Sequence, residues 1–352
     1  MQASTYTSRT TQASPIHVGV EIAESATRLT LTRSSEAGAQ RWHARLTPPV
    51  EPEAAIEAIN ALITRALTSN DSEALPKRAS VSGIGAALWG ELDAAREYTR
   101  SGRLPAAWEG FPLAQRLAER WGAPVHLETA VNAAALAEAR LGAGQNVQNI
   151  QSARSMLYVL LGRNVAAAMI HDGRPWHGAL GSEGMLGHWL VYPDGRTPAG
   201  NPAPRCACGA LGHLDPIASA QSIVRHAIGR ASATDESTAA MLRISGGRAE
   251  AMTAPQVVEL AAQGDPAATS VLDDALDALA LAVANIVALL DPSVLVIGGP
   301  LALAGERFYE PLRQRVASLT ASYRPPEAQA PIIAGRLEPF AALRGAALLA
   351  ST

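Results

Sequence analysis

Four side chains able to bind a metal gather in one stretch of the chain: His188, Cys206, Cys208 and His213. The two cysteines are the only ones among the 352 residues. Two thiolates and two imidazoles make a complete tetrahedral set for zinc. Gly209 and Gly212 supply bends that let the backbone fold these groups around one point. A metal here would tie the Pro- and Gly-rich insertion 194–204 to the segment ending at His188. The spacing Cys-x-Cys-Gly-x-x-Gly-His is not a zinc-finger spacing, so two other chemistries stay open. The cysteines can be small buried hydrophobes. They can also be a redox pair, for which one intervening residue is tight.

The elements that must hold these groups are legible in the pattern. Residues 1–15 are polar and Ser/Thr-rich and read as a disordered tail. From residue 17, three β-branched, alternating runs read as a meander of strands. The stretch 52–69 has helical spacing, 80–88 reads as a strand, and 112–121 as a short helix ended by Gly122. A strand at 125–128 leads into an Ala-rich helix at 132–141. Two strands follow within 155–170, with a hairpin turn at 171–174. Helices are expected at 218–228, 254–263 and 266–290, the last stopped by Asp291-Pro292. A strand at 293–297, a helix near 306–319, a strand near 332 and a helix at 341–349 close the chain. The strand–turn–strand opening occurs near 17 and again near 157, which suggests two related lobes facing a cleft.

Composition bounds the class. The chain is 48% hydrophobic and 17% charged, with net charge −3. Its length favours two domains. The charge leaves no basic footprint for nucleic acid. Two cysteines build no disulfide framework and suit a reducing cytoplasm. No apolar leader is visible, and the longest apolar run, 278–290, falls short of the roughly 20 residues of a bilayer span. The expectation is a cytoplasmic protein without a membrane partner.

Four pieces of the chain resemble the ROK family of bacterial sugar kinases and sugar-responsive repressors. They are LETAVNAAALAEARLGAG (127–144), GSEGMLGH (181–188), CACGALGHLD (206–215) and LLDPSVLVIGGP (289–300). The resemblance implies an α/β, two-lobed, actin-like (RNase H-like) ATPase fold with a sugar site in the cleft, and a homodimer. It implies zinc on His188, Cys206, Cys208 and His213. It divides the chain into the tail 1–15, a small lobe of 16–125 plus roughly 338–352, and a large lobe, 126–337, that carries the zinc motif. It places Thr129, Met185, His188 and Asp215 at sugar-binding positions. Trp108 is the best candidate to stack on a sugar ring, against a core role. Ser25, Gly162, Arg163, Gly298 and Gly299 fall on the nucleotide side.

The departures from the family pattern carry as much meaning as the matches. Ala130 stands where active members have the catalytic Asp that takes a proton from the sugar hydroxyl, and an alanine has nothing to titrate. Met185 replaces a sugar-binding Glu by a weak acceptor, and Asp215 is one methylene shorter than the usual Glu. The first phosphate loop reads Glu21-Ile22-Ala23-Glu24-Ser25 and the second Leu161-Gly162-Arg163-Asn164-Val165-Ala166. Both have lost glycines that let backbone N–H groups reach phosphate oxygens. Arg163 retains the means to pair with a phosphate. Glu128 and Glu183 are conceivable substitute carboxylates, against a structural role for each.

The resemblance with these losses implies a catalytically impaired homologue. Such a protein binds a small sugar or sugar derivative and acts as a sensor or regulator, and the losses count against Mg-ATP chemistry. Two alternatives stand: an ATP-dependent hexose kinase of glucokinase type with a displaced base, and a dimeric scaffold without a small ligand. Family repressors carry a helix-turn-helix ahead of the sugar-binding part. The residues before the first strand are too few for three helices, so no direct nucleic-acid binding is expected.

Overall fold

The computed structural model describes residues 14–23, 26–33, 42–46, 51–68, 79–100, 104–146, 155–198, 200, 202–232 and 234–351. The expected tail up to residue 13 lies outside the described residues, as does Ser25. Ser14 and Pro15 belong to the first strand rather than to a tail, because they extend the pairing with the parallel neighbour strand at Ala79 and Ser80. The chain forms two compact units, Met1–Ala130 with Leu343–Thr352, and Val131–Ala342.

The first unit is built on a five-stranded sheet. Strands β1 (Ser14–Ile22), β2 (Thr27–Arg33) and β3 (Trp42–Leu46) form the antiparallel meander. Strands β4 (Ala79–Leu88) and β7 (Val125–Thr129) add in parallel, giving the order β3-β2-β1-β4-β7. A small ribbon of β5 (Glu91–Leu92) and β6 (Thr99–Arg100) intervenes in the chain. Ile16, Val18, Val20 and Ile22 alternate along β1 and all are buried, as β-branched residues on a covered sheet face should be. Helix α1 (Pro52–Thr68) buries Ala55, Ile56, Ile59, Ile63 and Ala66, a stripe at helical spacing. Helix α2 (Leu113–Trp121) ends at Gly122 in the left-handed region.

The second unit opens with α3 (Ala130–Leu141), whose first residue is the boundary of the first unit. Its sheet has β8 (Ser155–Leu161), β9 (Val165–His171) and β10 (Arg174–Pro175), then β11 (Val294–Gly298) and β12 (Ile332–Ala334), in the order β10-β9-β8-β11-β12. β8 pairs antiparallel with β9 and parallel with β11, and β11 parallel with β12. The plan repeats that of the first sheet. β8 and β11 read as nearly unbroken apolar runs because parallel strands are covered on both faces.

Helices α4 (Asp215–Ala218), α5 (Ala220–Ala231), α6 (Asp235–Ile244), α7 (Ala254–Ala262), α8 (Pro266–Leu290) and α9 (Glu306–Thr320) complete this unit. The single helix expected at 218–228 is broken at Ser219. That residue is extended, and its Oγ accepts the N–H of Ser222 at 3.2 Å, starting α5 as an N-cap. Helix α6 has no counterpart among the expected elements. Helix α10 (Ala341–Leu349) closes the chain. From Leu343 onward it belongs to the first unit, where Gly19 and Gly85 lie against its backbone at Ala347 and Ala346, and Gly83 against Ala350 just beyond its end.

Candidate functional site

The Cys/His cluster assembles within the second unit. His188 closes the short turn 186–188, and an isolated bridge pairs Leu190 with His213. Val191 and Tyr192 both donate to the carbonyl of Gly212, which draws the return segment alongside. Gly212 has φ +73°, and a Cβ there would meet the Tyr192 carbonyl at 1.9 Å, so only glycine fits. The four donor atoms lie within 4.8 Å of one another. His188 Nδ1 is 3.4 Å from His213 Nδ1 and 3.8 Å from Cys206 Sγ, and Cys208 Sγ is 3.4 Å from His213 Nδ1. Donors at zinc bond lengths of about 2.0–2.3 Å, placed tetrahedrally, stand about 3.3–3.8 Å apart. The donor set and its spacing fit zinc.

The glycine run 181–188 packs on the start of β9, beside the stretch 161–166 expected as the second phosphate loop. Ala167 donates to the Gly184 carbonyl at 2.8 Å. A side chain at Gly187 would strike the Val165 carbonyl and the Asp215 side chain. Asp215 thus sits beside the run that ends in His188. Its carboxylate is engaged: Oδ1 accepts the backbone N–H of Val165 at 2.6 Å, and Oδ2 accepts the Asn164 side-chain amide at 2.9 Å. Met185 is 38% exposed at the outer side of the run. Glu183 accepts from the Asn132 amide and from the Gly178 N–H, each at 3.2 Å.

Of the two glycines expected on the nucleotide side, Gly298 ends β11 and Gly299 follows it. Gly299 has φ +82° and presses on the Leu161 carbonyl; a Cβ on Gly298 would strike the Tyr158 hydroxyl. The N–H of Gly299 is taken by Glu338 Oε1 at 2.8 Å, which also accepts the Tyr158 hydroxyl at 2.9 Å. Burial first, and Glu338 after it, raises the Tyr158 hydroxyl well above its ordinary value, so it remains a donor. Gly162 and Arg163 border a cavity of about 610 Å³ together with Gln221, Arg225, Glu250 and Pro300.

In the first unit, Ala130 is buried, at 1% exposure, at the first position of α3. Thr129 ends β7, and its N–H donates to Glu128 Oε1 at 2.8 Å. Glu128 is buried and lies 3.5 Å from the Arg96 guanidinium. Glu21, in the stretch expected as the first phosphate loop, accepts from Arg28 and, at 2.7 Å, from Trp89 Nε1. Trp108, the expected stacking residue, is 1% exposed in this unit's core and meets Phe111 edge to face at 5.8 Å. A ring so enclosed presents no open face.

Asn164 and Glu338 were not among the residues singled out in the sequence. An amide beside a lost glycine, and a carboxylate two residues past Arg336, carry no spacing signal. Their partners are distant in the chain: the Asn164 amide donates to the Asp215 carboxylate, and Glu338 accepts from the Gly299 N–H and the Tyr158 hydroxyl.

The comparisons agree with these motifs. The model of the ROK family matches residues 17–352. The chain is 32% identical over 258 residues to a glucokinase of Halalkalibacterium halodurans, covering 70% of this chain and 72% of that one. It is 30% identical over 196 residues to the DNA-binding transcriptional repressor Mlc of Escherichia coli, covering 56% and 43%. The crystal structure of a ROK family glucokinase from Streptomyces griseus, in complex with glucose and AMPPNP, superposes with a TM-score of 0.73 at 26% identity, covering 95% of this chain and 99% of that one. The fold is therefore that of the actin-like ATPases, and no helix among the described residues is long and apolar enough to cross a membrane. A family model spanning almost the whole chain, with a glucokinase and a DNA-binding transcriptional repressor among its relatives, identifies this protein as a member of the ROK family.

Proposed function

We propose that this chain is a ROK protein that has ceased to transfer phosphate and works by binding a sugar or sugar derivative in a regulatory role, with a structural zinc ion on His188, Cys206, Cys208 and His213. The observation that carries the reading is the internal filling of the phosphate-side donors. In a phosphate cradle, backbone N–H groups are left open for the anion. Here the Val165 N–H is occupied by the Asp215 carboxylate and the Gly299 N–H by that of Glu338. A phosphoryl group approaching either donor meets a resident negative charge. Ala130 supplies no base, and loss of a general base alone costs about 10²–10⁴-fold. The Asp215 carboxylate, spent on the loop, is also less available to a sugar hydroxyl. His188 and the less polar Met185 remain as contacts.

The zinc ion is assigned no chemical step. It would hold the return segment 206–213 to His188 and so set the position of that imidazole. Homodimer formation, inferred from the resemblance, belongs to the same reading.

The test is ADP release from Mg-ATP across a panel of hexoses and N-acetylhexosamines, for the native protein and Ala130→Asp. Background release by the native protein is expected, with sugar-dependent thermal stabilisation in the absence of ATP. Sugar-dependent turnover by the native protein would sink this reading. The second reading, an active glucokinase with a displaced base, is favoured by the 32% identity to a glucokinase. Glu128 is its candidate base, and loss of that turnover in Glu128→Gln would support it.

A further inference from the structure

A smaller cavity of about 320 Å³ lies in the second unit beside Thr197, Pro202 and Pro204, apart from the glycine run and the Gly298-Gly299 turn. Its polar lining comes from Thr197 on the insertion, Arg225, His226 and Arg230 on α5, and Asp274 on α8. Thr197 is only 7% exposed, and among the described residues its buried hydroxyl has no hydrogen-bond partner. A buried hydroxyl without a partner is destabilising, so its retention points to a partner not supplied by the fold itself.

The charges around the cavity decide the sign of that partner. Asp274 is neutralised by Arg230, whose Nη2 lies 2.6 Å away, while Arg230 Nη1 donates to Ser270. Arg225 has a neutral neighbour, Ser222 Oγ at 3.4 Å. The excess charge is therefore one guanidinium. Burial, with Arg225 and Arg230 adding to it, lowers the His226 imidazole from its ordinary value, with Asp274 opposing. Hydroxyl, guanidinium and imidazole N–H donors around one cavity match the several acceptor oxygens of a phosphate. Pro202, Pro204 and Val271 give the rest an apolar wall, on which the carbon skeleton of an ester can lie.

We propose that this cavity is a second binding site, which takes the phosphate group of a small phosphorylated molecule through Thr197, Arg225 and His226. Arg225 also borders the 610 Å³ cavity beside Gly162 and Arg163. A guanidinium drawn toward a ligand in the smaller cavity is withdrawn from the larger one. The site is thus placed to couple a phosphorylated ligand to the neighbouring pocket, whether or not the chain transfers phosphate itself.

Calorimetric titration of the full chain with glucose 6-phosphate, inorganic phosphate and glucose tests the site. Thr197→Val and Arg225→Gln are titrated beside it, and each variant is first checked by its unliganded melting curve. Saturable binding of glucose 6-phosphate is expected, weakened about 5-fold or more in each variant. Thr197→Val removes an unpartnered hydroxyl, so its unliganded melting temperature is expected to stay level or rise, which separates loss of ligand from loss of fold. Inorganic phosphate binding as tightly as the ester would assign the site to the free anion; weaker binding assigns it to an ester. Absence of binding by both phosphates, or equal binding by native protein and both variants, overturns the proposal.

Discussion

Gly184 shows how tightly the site is set at the scale of one residue. Its φ is +78°, and a Cβ would stand 1.9 Å from the Ala167 carbonyl oxygen. Gly184→Ala is expected to lower stability by about 2–4 kcal/mol, from left-handed strain and the clash together, as read by urea unfolding. A loss below about 0.5 kcal/mol would mean that the run and β9 do not pack as described. The metal cluster gives a second prediction at this scale. Native protein purified without added metal is expected to hold about one zinc per chain, and Cys206→Ser, lacking a thiolate, much less, with a lower melting temperature. Equal metal content in both would remove the zinc assignment. Individual residues were legible in the sequence where their chemistry is rare. Two cysteines and two histidines point at one another in any chain. Trp108 was not legible in that way, because a large aromatic is equally at home in a core or on a ligand, and only its burial against Phe111 decides.

Elements are held to one another by carboxylates turned inward. Glu138, wholly buried on α3, accepts the backbone N–H groups of Ala143, Arg336 and Leu337, each at 2.8 Å. It joins the end of α3 to the segment that follows β12. Burial raises its carboxyl above the ordinary value, against the lowering by the three donors. A carboxyl raised in the folded chain favours folding most below its ordinary value, and that contribution fades as pH climbs through the raised one. Glu138→Gln has no such slope, and its amide NH₂ faces a backbone donor. The variant is expected to be less stable by about 1–3 kcal/mol. Its deficit should narrow as pH rises above the ordinary carboxylate range. A deficit constant with pH would show that the carboxyl does not titrate there. Strands and long helices were readable because their apolar period is strong, as in β1 and α8. Helix α6 was not, since DESTAAMLRI has a weak stripe and owes its start to Thr234, whose Oγ1 accepts the Ser237 N–H at 3.3 Å.

Across the whole molecule, two sheets share one plan: an antiparallel meander extended by two parallel strands. Half of that plan was visible in the sequence, as the strand–turn–strand pattern near residues 17 and 157. The parallel half was not, because β4 and β7, or β11 and β12, pair across long connections whose order no local pattern reveals. The first unit also draws on both ends of the chain, with α10 seated on Gly19 and Gly85. Gly85→Val is expected to displace α10 and to leave the protein poorly soluble or markedly less stable, by about 3 kcal/mol or more. A native-like melting temperature in that variant would mean that α10 is dispensable. The same closure sets the timing of biogenesis. Some 213 residues separate Ala130 from Leu343, and at about 5–20 residues per second a ribosome takes about 10–40 s to make them. Throughout that interval the first-made sheet waits with the face that α10 will cover still bare. The nascent chain is therefore a natural client for chaperones, and a transcript cut short before the codons of α10 would release a first lobe that can never be finished.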